Sequence, residues 1–251
     1  MERVDRVPDV RPNAVEEPLE VGRRDRRARP VGGRAVDLRA LVAQGRDAGT
    51  TVATTLYAAQ RAGIETFATG GIGGVHKGAE SSFDISADLQ ELAQTPVTVV
   101  AAGPKAILDI HKTLEVLETL GVPVIAYGQD SLPAFWSATS EVHAPLRLDR
   151  PDRIAAAHAM RADMGLPGGQ LVANPIPQED EIPAASLAPI IARAQAEAEA
   201  QGIASKSVTP FLLDRIFALT DGASLTANIA LVRNNARLAA EIAKCLCNPG
   251  S

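Results

Sequence analysis

Four short apolar runs punctuate the chain, at residues 64–69, 97–102, 123–127 and 171–174. The first reads as a buried strand, and the last three are apolar at nearly every successive position rather than at alternate ones; this predicts strands buried on both faces, as in parallel sheets. Amphipathic or small-residue stretches lie between them and predict helices at 49–59 (ending before Gly63), 85–93, 105–120 and 151–164. Three further helical segments follow the last strand, at about 184–201, 210–220 and 225–245. Strands alternating with helices imply an α/β fold, a three-layer α/β/α arrangement around a mostly parallel central sheet. Ligands of such sheets sit at the carboxyl ends of the strands. That rule singles out the glycine loop after Thr69, the turn Gly103-Pro104-Lys105, and Asn174-Pro175-Ile176-Pro177.

The first 36 residues break this pattern. They hold nine Arg, no Lys and seven acidic residues, a net +2 that leaves −7 on residues 37–251. With four prolines and no sustained apolar period, the segment buries too little to offset its ordering entropy and is expected to be a solvated tail. An Arg-rich arm that binds nucleic acid or a membrane is the alternative, since clustered Arg attracts phosphate; the interspersed acids weaken it. The whole chain of 251 residues is long enough for a sizeable core, and 46% hydrophobic against 22% charged residues is a globular balance. Only eight residues are aromatic and the net charge is −5, a poor basis for stacking on a nucleic-acid polymer. Cys245 and Cys247 offer neither a disulfide framework nor, with four scattered histidines, a zinc site. Neither a membrane-length apolar run nor a secretory apolar region is found, so a cytoplasmic location and no membrane partner are expected.

The strand ends carry the candidate chemistry. Residues 69–78 contain five glycines, which let backbone amides converge as an anion nest; a plain connector is the equal alternative. The run is neither a dinucleotide nor a P-loop fingerprint. Lys105 follows a buried strand at a predicted first helical turn, near a positive helix end, and a neutral amine there is what Schiff-base chemistry requires. A lysine that merely snorkels to solvent is the simpler account of that position. Asp84 and Asp88 are four apart; Asp84 reads first as a helix cap, and one or two carboxylates also suit a hard hydrated cation such as Mg²⁺ or Mn²⁺. His76 lies beside the loop, whereas His111, His143 and His158 show no ligand spacing.

Longer stretches carry a resemblance. Phe67-Ala68-Thr69-Gly70-Gly71-Ile72-Gly73-Gly74-Val75-His76-Lys77-Gly78-Ala79-Glu80, then Phe83-Asp84-Ile85-Ser86-Ala87-Asp88-Leu89, closely resemble the pseudouridine-5'-phosphate glycosidases of the indigoidine synthase A-like family. So do Val99-Val100-Ala101-Ala102-Gly103-Pro104-Lys105, residues 172–177 and 209–213, Asn228, and Asn234-Asn235-Ala236. The similarity runs in register from about Asp37 to the C-terminus. It implies reversible cleavage of the C–C glycosidic bond of pseudouridine 5'-phosphate to uracil and ribose 5-phosphate, a divalent cation (usually Mn²⁺) and a homotrimer of α/β/α subunits. By this resemblance Lys105 is the nucleophile that forms an imine with C1' of the ring-opened ribose, and Asp84 holds the metal largely through waters. Ser86, Ala87 and Asp88 match a substrate-binding segment and Val52 a further contact. Asn228 matches the residue that reads the uracil edge, and Thr69 and His76 match positions lining the pocket.

The first 36 residues depart from that pattern. The family carries an N-terminal strand ending in a general-acid glutamate, and Glu16, Glu17 and Glu20 lack the apolar strand that should precede it. A phosphate-binding lysine of the family falls at Gly32, with Arg34 the nearest cation. The N-terminal strands are therefore expected to be incomplete, with a domain over 37–251. Three explanations stand, in this order: residues 1–36 are not the native segment; the chain is a shortened paralogue that binds sugar phosphate or uracil, or serves in assembly, without turnover; or a partner chain supplies the glutamate.

Overall fold

The computed structural model describes residues 31–32, 48–203 and 208–247. The expectations for residues 1–30 and 33–36, including those for Glu16, Glu17, Glu20 and Arg34, lie outside the described residues. Val31–Gly32 (β1) pairs in parallel with Ala48–Gly49 (β2) as a separate two-residue ladder. Val52–Arg61 (α1) follows, its N-cap Thr51 accepting from the Thr54 amide. Next come Thr66–Ala68 (β3), Val75–His76 (β4), the single turn Ala79–Ser82 (α2) and Ala87–Gln94 (α3). Thr98–Ala101 (β5), Leu108–Asp109 (β6), Ile110–Thr119 (α4) and Val124–Tyr127 (β7) succeed them. The chain then runs through Leu146–Leu148 (β8), Pro151–Asp163 (α5), Gln170–Ala173 (β9), Ala184–Ala200 (α6), Val208–Leu219 (α7) and Ala223–Cys247 (α8).

Five strands form one sheet in the order β3-β5-β9-β7-β8, every pair parallel. The apolar runs explain it. Val99 and Ala101 of β5, Leu171 and Ala173 of β9 and Val124 of β7 are buried in the layer with Leu56, Leu89, Leu92 and Leu117 of α1, α3 and α4. Val100 and Val172 point the other way, against Ile154 and Ala155 of α5 and Leu238, Ala239 and Ile242 of α8. Neither face is left for water, so neither strand alternates in sequence. A third apolar cluster sits past the carboxyl ends, where Ala102, Ile107, Leu108, Phe135 and Ile176 meet α6, α7 and Leu231 of α8. The α/β/α architecture is as expected, and β3 has no further strand on its outer side among the described residues.

The structure departs from the sequence expectations in several details: β3 is only partly buried, and β1, β2, β4, β6 and α2 have no predicted counterpart. The helix predicted from residue 105 starts at Ile110, because Asp109 caps it by accepting from the Lys112 amide and Leu108 is taken by pairing with His76. Asp84 is not a helix cap: Ser86 caps α3, its hydroxyl accepting from the Asp88 amide. Asp84 and Asp88 thus do not share a helix face. Strand β8 has no counterpart among the predicted elements; three residues at a sheet edge, Leu-Arg-Leu, leave too short a pattern to read.

Away from the strand ends, α6 and α7 are clamped by charge. Glu197 accepts from Arg215 of α7 and, at 3.0 Å, from Arg193 one turn before it. Hydrogen bonds from Arg215 hold its carboxyl down to about 2. A carboxyl lowered by folding stabilises above its unfolded value and loses that contribution as pH falls through the folded one. Glu197→Gln should therefore lower Tm at pH 7, by a modest amount because the pair is partly solvated. The gap from the parent chain should close between pH 4.5 and about 2 in a calorimetric series.

Candidate active site

Parallel pairing of β3, β5 and β9 puts their carboxyl ends side by side, Ala68 opposite Val100 and Ala101 opposite Ala173. The pairing continues beyond the strands. The Ala102 amide donates to Gly70 O (2.9 Å), Ile72 N to Gly103 O (3.1 Å) and Lys105 N to Ile72 O (3.1 Å). The glycine loop and the Lys105 turn are therefore one extra strip of backbone on the rim, and the Lys105 side chain leaves it half-buried. Among the described residues no carboxylate pairs with its amine. Lys105 does not stand at a helix end, contrary to the sequence expectation, since α4 begins five residues later; its place is fixed by main-chain bonds instead.

The loop's glycines are explained by protein neighbours. A methyl group on Gly73 would strike Ser86 Oγ and lie 2.7 Å from Asp88 Oδ2; on Gly74 it would strike Thr113 Oγ1; on Gly71 it would come within 2.7 Å of the Phe135 ring. Gly103 combines φ +88° with a Pro133 carbonyl 2.5 Å from where its Cβ would stand, so only glycine fits. Amides of the loop are also spoken for: Ile72 N by Gly103 O, Gly73 N by Asp88 Oδ2, Val75 N by Thr113 Oγ1 and His76 N by Asp84 O. Four of the five amides over residues 72–76 therefore already have protein acceptors.

The nominated residues gather around this loop. Asn228 on α8 places its Oδ1 3.4 Å from where a Gly70 methyl would be. That oxygen is buried and has no hydrogen-bond partner among the described residues. Thr69 stands one residue before, its carbonyl accepting from Asn235 Nδ2 at 2.8 Å. Ser86 donates its amide to Gly74 O, and Ala87 opens α3 behind it. Asp84 and His76 are joined through backbone, and the Asp84 side chain is half-buried. Val52 is held near by its neighbour Ala53, whose amide donates to Asp88 Oδ1 at 2.8 Å. Asp88 itself is buried, 5% exposed, with both carboxylate oxygens turned to backbone.

For a metal, Asp84 offers one carboxylate, and among the described residues no group of three or more His, Cys, Asp or Glu could enclose an ion. Such a donor set fits a hard cation that keeps most of its water shell and does not fit a fully protein-ligated site.

Sequence reasoning assigns no role to three supports of the rim. Asn235, fully buried, bridges the Thr69 carbonyl and Asn174, whose Nδ2 donates to its Oδ1 at 3.1 Å. Two adjacent asparagines in a helix interior, poor helix formers, are the available signal. Thr113 accepts from Val75 N and donates to Asp109 O (2.6 Å). Phe135 is 4% exposed yet at φ +64°, a conformation that costs a bulky residue energy, and its amide donates to Ala102 O.

Comparison with known proteins places this arrangement. A family model described as "Indigoidine synthase A like protein" matches residues 16–245, beginning inside the Arg-rich stretch. The chain belongs to the indigoidine synthase A-like family. A pseudouridine-5'-phosphate glycosidase of Roseobacter denitrificans is 71% identical over 210 residues, 84% of this chain and 68% of that protein. That of Paracoccus denitrificans is 70% identical over 207 residues, 82% and 68% of the two chains. Among solved structures, the prealnumycin C-glycosynthase AlnA in complex with ribulose 5-phosphate superposes with a TM-score of 0.81 at 37% identity, over 86% of this chain and 71% of that one. An indigoidine synthase A-like protein of Thermotoga maritima gives 0.79 at 34% identity, over 85% and 70%. No helix among the described residues is long and apolar enough to cross a membrane.

If the glycines serve packing, Gly73→Ala should cost about 1–3 kcal/mol through overpacking. Gly70→Ala, where the nearest side-chain atom is 3.3 Å away, should cost clearly less. Urea unfolding of the two variants measures the difference.

Proposed function

We propose that this chain cleaves the C–C glycosidic bond of pseudouridine 5'-phosphate reversibly, giving uracil and ribose 5-phosphate through an imine on Lys105. One observation carries the reading: a half-buried lysine without an ion-pair partner among the described residues stands on the rim where three parallel strands end, its backbone bonded to the glycine loop. Relatives about 70% identical, named for this activity, supply the substrate. The sugar-phosphate complex of the AlnA structure supports the same class of ligand.

A C–C glycosidic bond has no leaving oxygen for an acid to protonate, so the two-carboxylate logic of ordinary glycosidases does not apply. In the proposed sequence Lys105 Nζ bonds C1' as the C1'–O4' bond opens, and the ring oxygen takes a proton. The nitrogen lone pair then forms C1'=N while the C1'–C5 bond breaks; its electron pair goes to uracil C5, which is protonated. Water adds to the iminium, frees ribose 5-phosphate and returns the amine. Asn228, with a buried acceptor unmatched among the described residues, suits an N–H of the uracil edge. Thr69, His76, Val52 and the segment Ser86-Ala87-Asp88 line the sugar-phosphate side in this reading. Asp84 would hold Mn²⁺, or another divalent cation, mostly through water; bound there, the ion supplies positive charge beside a phosphorylated substrate. The reading carries with it a cytoplasmic homotrimer acting on small molecules.

The test is release of uracil from pseudouridine 5'-phosphate in the presence of Mn²⁺, followed by absorbance. The parent chain should turn over, and Lys105→Ala should fall on the order of 10³-fold or more while keeping its fold by circular dichroism. A folded Lys105→Ala that retains parental turnover would overturn the assignment. Substrate binding by a parent chain without turnover would instead mark a binding or assembly subunit.

A further inference from the structure

We infer that Asp88 is a positioning residue: its carboxylate ties α1, the glycine loop and α3 together and so sets where Lys105 stands. The inference rests on the Lys105 reading, but its mechanical part is separate from it.

Asp88 is 5% exposed, and both oxygens are used. Oδ1 accepts from Ala53 N and Oδ2 from Gly73 N, each at 2.8 Å. These separations are typical of charge-assisted bonds. Ala53 is the second residue of α1, so its amide is among those a helix N-terminus cannot satisfy internally. Asp88 thus completes the cap of a helix 35 residues before it in sequence. It is also the second residue of α3, where negative charge suits the helix dipole. Among the described residues no cation pairs with it. A buried carboxylate is otherwise costly, and here its compensation comes from backbone amides and two helix starts.

A short path of bonds connects Gly73 to the nucleophile. Gly73 is bonded to Ile72 in the chain; Ile72 is fully buried, donates to Gly103 O and accepts from Lys105 N. Each link is main chain or buried, so displacement of Gly73 is transmitted to the Lys105 turn rather than absorbed by a side chain. The missing Cβ of Gly73 is part of the device, since a methyl there would sit 2.7 Å from Asp88 Oδ2. The carboxylate is therefore committed to backbone amides, and the contact of Asp88 with the sugar-phosphate side falls to its main chain. Within the segment 86–88 it is the anchor.

Asp88→Asn preserves shape but replaces one acceptor by an NH₂ that cannot accept from an amide. In hydrogen exchange followed by mass spectrometry, this variant should lose protection at 70–76 and also at 102–107. Peptides covering β7 and α5 should keep theirs. Turnover of pseudouridine 5'-phosphate should show kcat reduced on the order of 10²-fold, with KM changed less than threefold. Asp88→Ala should behave at least as severely, and Asp88→Glu should not rescue kcat, because the longer arm cannot meet both amides. Faster exchange confined to residues 53 and 73, or a folded Asp88→Asn with parental kcat, would overturn the proposal. A parent chain that exchanges as described but never cleaves the substrate would refute the Lys105 reading and leave the anchor standing.

Discussion

Everything at the rim depends on parallel hydrogen bonding among β3, β5 and β9. Parallel pairing makes three carboxyl ends finish on one side, and the apolar residues on both faces fix the register, since a slip of one residue would exchange the faces. Val99 and Val100 point to opposite layers and both are fully buried. The alignment of Ala68, Val100 and Val172 across the sheet is therefore strongly specified. Only on that foundation can the Ala102–Gly70, Ile72–Gly103 and Lys105–Ile72 bonds extend the ladder into the loops.

The loop region is rigidly built for something so rich in glycine. Its small residues let Ser86, Asp88, Thr113 and Phe135 press against the backbone. The polar side chains among them satisfy amides that would otherwise seek an anion. Asn235 and Asn174 do the corresponding work from the other face, joining β9 and α8 to the end of β3. Fixed groups of this kind suit catalysis by positioning, in which a displacement of about 1 Å is expensive. Asn228 stands apart with a buried oxygen that no donor among the described residues meets.

Sequence alone conveys the layers better than the rim. The runs at 97–102, 123–127 and 171–174 reveal themselves because burial on both faces removes any alternation; β5 and β7 lie inside them, and β9 begins one residue earlier, at Gln170. The helix start after Lys105 is misplaced by sequence because Ile107, Leu108 and Ile110 continue an apolar spacing that also suits a helix. Leu108 is in fact committed to His76 across an antiparallel pair that no local pattern announces. Asp84 and Asp88 look alike at four-residue spacing, yet one is half-buried outside the helix and the other is buried against two distant amides. Glycine-rich sequence says that something approaches closely. Whether it is a ligand or Thr113 depends on contacts 38 residues apart, between Val75 and Thr113, which periodicity cannot encode.

The central claim is that Lys105 is the amine that bonds the sugar. Ribose 5-phosphate incubated with the full chain, reduced with borohydride and digested, should leave one modified peptide by mass spectrometry, with the fragment ions placing the addition on Lys105. The Lys105→Ala chain should stay unmodified under the same conditions. Modification at another lysine, or equal modification of the Lys105→Ala chain, would contradict the account.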